Sequence, residues 1–122
     1  MAWKFESGLS LAEQIADRIR TDIINGVYKS SEPFPTVRQL AFDASVNPNT
    51  MQKALCVIED EGLLVTLSTQ GRIVTEDTEL IDKARNVYKK KQLGSFIARA
   101  KELSITKEEF IEYIEKGWNE NE

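Results

Sequence analysis

A mainly α chain with one small β-hairpin is predicted by three observations on its 122 residues. Apolar residues recur at helical spacing in three separate stretches before residue 62. Two short β-branched runs, 63–67 and 72–75, come next, parted by the turn-forming "STQG". Helical periodicity then resumes and continues nearly to the end. Three helices followed by a hairpin is the element order of a winged helix-turn-helix. Residues 1–76 are therefore expected to form that domain, and residues 77–122 a two-helix tail.

The first helix is expected over 10–25. Ser10 and Glu13 have the S-x-x-E spacing of a capping box, and Leu11, Ile15, Ile19 and Ile23 form an apolar stripe with Ala12 and Ala16 beside it. Gly26 stands where a left-handed residue ends a helix. The connection "VYKSSEPFP" is expected to be extended, because Pro33 and Pro35 disfavour helix in the residues before them. Thr36 and Gln39 cap the second helix, whose buried face is Val37, Leu40 and Ala41. The third helix opens at "NPNT", with Asn47 as N-cap and Pro48 at the first position, where its missing N–H costs nothing. It is expected to run to about residue 61 and stop at Gly62.

The third helix has two distinct sides. Met51, Ala54, Leu55 and Ile58 follow the i, i+3, i+4, i+7 pattern of a core face. Asn49, Gln52, Lys53 and Cys56 fall opposite, and Thr50 lies at the edge. Glu59, Asp60 and Glu61 make the far end acidic, so a polyanion is expected to meet the N-terminal end first. That end also carries the positive pole of the helix dipole. Asparagine and glutamine pair with adenine, lysine reaches guanine or phosphate, and threonine touches phosphate or a thymine methyl. Thr36 and Arg38 at the start of the preceding helix are expected as further DNA contacts, Arg38 to groove or phosphate, and Gln70, Gly71 and Arg72 at the wing tip are expected to reach the adjacent minor groove. Cys56 is read as a neutral surface or packing residue, since no second cysteine exists to resolve an oxidised form.

The tail carries two stripes. Leu80, Ala84 and Val87 line one side of the predicted helix from 77 to about 103, while Leu93, Phe96, Ile97, Ala100 and Leu103 line another. At the helical period these are about 140° apart, with the change at "KKKQLG". One long helix is expected rather than two, because a single glycine, Gly94, costs only about 1 kcal/mol. Thr106 and Glu109 form a third capping box, ahead of a stripe of Phe110, Ile111, Ile114 and Trp118. So short a tail cannot build a large core alone. It needs the first domain or another chain for cover, and dimerisation is expected, with Leu93, Phe96, Ile97, Ala100, Phe110 and Ile114 as contacts.

Several classes of function are disfavoured. The chain has no histidine and one cysteine, which removes Ser-His and Cys-His nucleophile pairs, Cys/His zinc clusters and an intrachain disulfide. Its six glycines are scattered singly, so no phosphate-cradling loop is present. An enzyme, a cofactor and a membrane span are not expected, and the simplest location is the cytoplasm. Net charge is −4, shared equally: residues 1–75 carry 7 basic and 9 acidic groups, and 76–122 carry 9 and 11. Any contact with double-stranded DNA must therefore rest on locally arranged charge. A winged helix used for protein–protein contact is the alternative, supported only by the acidic balance.

The strings "LAEQIADRIRTDIINGVY", "PFPTVRQLAFDASVNPNTMQKALCVIEDEGLLVT" and "GRIV" together resemble the N-terminal domain of GntR-type bacterial transcription regulators. The "VNPNT" motif and the short tail resemble the YtrA subfamily. The likeness covers residues 9–75 closely and 76–118 in length and pattern. It implies a homodimer that binds a palindromic operator, usually repressing its own operon. It further implies that Arg38 is the DNA-contacting arginine of the second helix, that Asn47, Asn49, Thr50, Gln52 and Lys53 are the contacting start of the recognition helix, and that Gly71 is the wing-tip glycine. Ser31, Phe34 and Thr36 depart from the usual glycine, leucine and serine, and the wing lacks a second glycine. A small-molecule effector is left open as a partner; Tyr88, Phe96, Phe110 and Trp118 are read as core rather than as its site.

Overall fold

The computed structural model describes residues 3–8, 10–68 and 71–120. Among them the elements follow in the expected order: α1 (Leu11–Ile24), α2 (Val37–Ala44), α3 (Pro48–Asp60), β1 (Leu64–Leu67), β2 (Gly71–Val74), α4 (Thr78–Glu102) and α5 (Lys107–Gly117).

Side chains close the helix starts as the sequence indicates. The Thr36 hydroxyl accepts the Gln39 amide at 3.1 Å, and Gln39 Oε1 accepts the Thr36 amide at 2.9 Å. Thr106 and Glu109 repeat the arrangement on α5. On α1, Ser10 accepts the Glu13 amide at 3.4 Å. The Gln14 side chain instead pairs with the backbone of Glu6, accepting from its N–H at 2.8 Å and donating to its C=O at 3.0 Å, which ties the preceding segment to the helix. Asp77 Oδ1 accepts the Leu80 amide at 3.1 Å and so starts α4.

Four helices end in paired backward hydrogen bonds around one left-handed residue. Gly26 and Gly62 fill that role for α1 and α3, with φ of 79° and 83°. The equivalent residues after α2 and α4 are Ser45 and Ser104, with φ of 58° and 60°, and nothing in the local sequence marked them. At Ser45 the two bonds are Val46 N to Ala41 O at 3.0 Å and Ser45 N to Phe42 O at 3.2 Å.

The core belongs to the first of two compact units, Met1–Ala84 and Arg85–Glu122. Ile15, Ile19 and Ile23 of α1 meet Leu40 and Ala44 of α2 and Met51, Leu55 and Ile58 of α3. Leu64 and Val74, opposed in the antiparallel register, turn the hairpin's inner face onto them, and Leu63 and Phe34 complete the cluster. Full burial of each such side chain contributes about 1.5–3 kcal/mol relative to exposure. Leu11, at the start of the predicted α1 stripe, lies at the exposed margin.

α4 is one helix, so Gly94 does not break it. Ile81 and Ala84 on its first turns pack against the core. The division between the two compact units therefore falls inside α4, after Ala84. In the second unit, Ala100 is the single buried apolar residue among the described ones. Leu93, Phe96 and Ile97 on α4, Leu103 just after it, Ile111 and Ile114 on α5, and Trp118 at the α5 C-cap are exposed. No helix among the described residues is long and apolar enough to cross a membrane.

Candidate nucleic-acid interface

The start of α3 is positioned from behind. Met51, Ala54, Leu55 and Ile58 are buried and lock the helix against α1 and α2. Asn49, Gln52, Lys53 and Cys56 are thereby turned outward, all exposed, and Thr50 is half-buried at the edge. The Asn47 side chain accepts the Asn49 amide at 2.7 Å, so the same residue caps the helix and stands at its exposed tip. Gln52 Nε2 lies 3.7 Å from Cys56 Sγ, a weak bond that draws the amide back along the helix.

Arg38 is exposed in the first turn of α2 and borders one shallow hollow with Phe42, Val46 and Pro48. It therefore lies beside the entry to α3. Arg38 and Lys53 enter no ion pair among the described residues, whereas Arg20 and Arg72 do. Thr36 is exposed, but its hydroxyl is occupied by the α2 cap.

The acidic end of α3 is less negative than its sequence suggests. Arg20 of α1 grips Glu61 through two nitrogens, Nε at 2.7 Å from Oε1. Arg72 Nη2 reaches Glu59 Oε1 at 3.0 Å. The Thr66 hydroxyl also donates to Glu59. Thr66 first, and Arg72 after it, hold the Glu59 carboxyl below its ordinary range, against an opposing push from partial burial. Of the three carboxylates, Asp60 is left exposed without such a partner among the described residues.

The wing differs from expectation at Arg72. Its side chain is only 16% exposed and turned to Glu59, not presented at the tip. Gly71 opens β2 with φ of 73°, a backbone that favours glycine, and it is exposed. Gln70 lies outside the described residues. Among the expected dimer contacts, Leu93, Phe96, Ile97 and Ile114 are exposed, Phe110 is half-buried, and Ala100 is buried within its own chain. The Glu59–Thr66–Arg72 arrangement was not visible in the sequence, because it depends on how the hairpin register meets the last turn of α3.

Known proteins share this architecture and its sequence. The model of the gntR family of bacterial regulatory proteins matches residues 11–74. The chain is 32% identical over 111 residues to an uncharacterized HTH-type transcriptional regulator, YhcF, of Bacillus subtilis, spanning 91% of this chain and 92% of that one. It is 30% identical over 112 residues to the HTH-type transcriptional repressor YtrA of the same organism, over 90% and 85% of the two chains. The solved structure of a GntR family transcriptional regulator from Listeria monocytogenes matches with a TM-score of 0.81 at 31% identity, covering 92% of this chain and 98% of that one. A capped, outward-facing helix start on a winged helix-turn-helix, in a chain matched along nearly its whole length by transcription regulators rather than enzymes, has one conclusion: the chain belongs to the GntR family of DNA-binding bacterial transcription regulators.

Proposed function

We propose that this regulator is a homodimeric repressor of its own operon, acting on a palindromic operator. The observation that carries the reading is the start of α3, where exposed Asn49, Gln52 and Lys53 stand beside the unpaired, exposed Arg38 at the positive end of a helix. Lys53 and Arg38 supply the local positive charge that a net −4 chain needs to approach DNA. Asn47 and Thr36 position these groups through their caps and meet the backbone; Thr50 and Gly71 lie at the margins of the contact. The exposed apolar side chains of the second unit, Leu93, Phe96, Ile97 and Ile114, give the surface through which two copies associate. A two-fold dimer presents two reading helices to two half-sites about one helical turn apart. Repression is supported by the similarity to YtrA, which is named a transcriptional repressor.

Gel-shift titration of Arg38→Ala and Lys53→Ala against DNA from immediately upstream of the gene tests the reading. Loss of an arginine–base contact weakens binding by about 1–3 kcal/mol. Unchanged affinity in both variants would reject it. Wild-type affinity also falls steeply between low and moderate salt, as phosphate contacts require.

A further inference from the structure

One carboxylate joins the reading helix to both strands of the wing. Glu59, in the last turn of α3, accepts the Thr66 hydroxyl on Oε2 and Arg72 Nη2 on Oε1 at 3.0 Å. Thr66 and Arg72 are directly opposed partners of β1 and β2. The Arg72 carbonyl accepts the Phe34 amide at 3.2 Å, so the same rung is tied to the segment that enters α2. The next paired rung among the described residues is Leu67 with Gly71, which offers no polar side-chain group to fasten. A two-stranded hairpin is marginal by itself in water, so this rung is where the outer wing acquires a fixed direction.

We propose that Glu59 is the positioning residue of the wing: it fastens the Thr66–Arg72 rung to α3, keeps Arg72 out of the DNA contact, and thereby fixes where the wing tip meets the DNA flanking each half-site. This rests on the DNA-contact reading given above. Side-chain exposure is 16% for Arg72 and 24% for Glu59. Drawing the guanidinium away to a phosphate strands a half-buried carboxylate, beside a polyanion and without its cation, which is unfavourable twice over. Arg72 Nε is buried with no hydrogen-bond partner, so the arginine reaches Glu59 at the expense of one unsatisfied donor.

The test uses the duplex that the wild-type protein selects from a random-sequence pool. If no duplex is selected, the DNA-contact reading itself fails. With a selected duplex, Glu59→Gln, Arg72→Ala and the double variant are titrated over a salt series and footprinted with hydroxyl radicals. Each single variant is expected to bind roughly five- to tenfold more weakly, the size that coupled, partly buried pairs carry. Protection is expected to weaken at the outer flanks, while base preference within the half-sites and the salt slope stay as in the wild type. The double variant is expected to be no weaker than the weaker single one. Thr66→Val, which removes one bond and no charge, gives a smaller loss at the same flanks and covers the case in which Glu59→Gln fails to fold. An Arg72→Ala variant whose salt slope flattens by about 0.9 per lost phosphate contact, with Glu59→Gln unchanged, makes Arg72 a DNA ligand and overturns the proposal. Full flank protection in both Glu59→Gln and Thr66→Val overturns it as well.

Discussion

Ile58 on α3 is fully buried, while Ile114 on α5 is 42% exposed, although both lie on apolar stripes of short, well-started helices. The difference is one of cover. In the N-terminal unit, α1, α2 and the hairpin all turn apolar faces toward α3, and together they close over it. The C-terminal unit has most of α4 and all of α5, and with so few residues its surface outruns its volume. A helical stripe shows which side is apolar, and only the surrounding elements supply what lies against it. The same contrast separates the arginines: Arg20 and Arg72 are held by carboxylates inside the fold, and Arg38 is left facing outward.

The largest effect that can break this comparison comes from cutting the chain. A fragment of residues 1–84 is expected to melt cooperatively by circular dichroism, and residues 85–122 alone at low micromolar concentration to show little helix; a stable, concentration-independent helical fragment 85–122 contradicts the contrast. Next, Leu55→Ala removes a fully buried side chain and is expected to cost about 2–5 kcal/mol in chemical denaturation. Ile114→Ala should cost far less at low protein concentration and more as concentration rises. The pair Phe96→Asp and Ile114→Asp is expected to turn a dimer into a monomer in sedimentation while the melting of the N-terminal unit persists. An unchanged sedimentation mass in that variant removes these residues from the dimer contact.

Two smaller effects sharpen the contrast. Ser45→Gly relieves a left-handed non-glycine residue and is expected to raise stability by about 0.5–1 kcal/mol. Ser104→Gly, with the same backbone strain in the other unit, is expected to raise the melting temperature only to the extent that dimerisation couples the tail to unfolding. The smallest effect is a pH dependence at Glu59 in the N-terminal unit. Glu59 has a folded pKa depressed below its ordinary 4.5, so its stabilisation is complete above that value and is lost as pH falls through the folded pKa. The stability gap between wild type and Glu59→Gln should therefore be constant from neutral pH to about 5.5 and shrink in more acid solution. A gap that widens on acidification has the opposite sign and refutes this account of Glu59.

Much of the fold was legible because its signals are local. Thr36 with Gln39 and Thr106 with Glu109 are capping boxes in the sequence and in the structure. Gly26 and Gly62 mark helix ends through the left-handed backbone that glycine adopts freely. Ser45 and Ser104 escaped notice because serine carries no such signature, although the same paired backbone hydrogen bonds close their helix ends. The outward face of α3 was legible because burial of Met51, Ala54, Leu55 and Ile58 dictates what faces away. The pairing of Arg72 was not, because its partner is a carboxylate 13 residues earlier in the chain. Ala100 carried the same periodicity as Phe96 and Ile97, but it is buried and they are exposed.

The sequence alone determined the order and type of the elements, the caps of the helices and the apolar side of each, since all of these follow from neighbours within about one or two helical turns. Only the tertiary structure decided which apolar stripes are covered, that α4 is shared between two units, and that Glu59 meets Thr66 and Arg72. Those outcomes depend on how segments distant in the chain pack in three dimensions, where a shift of one residue in the hairpin register turns every wing side chain to the opposite face.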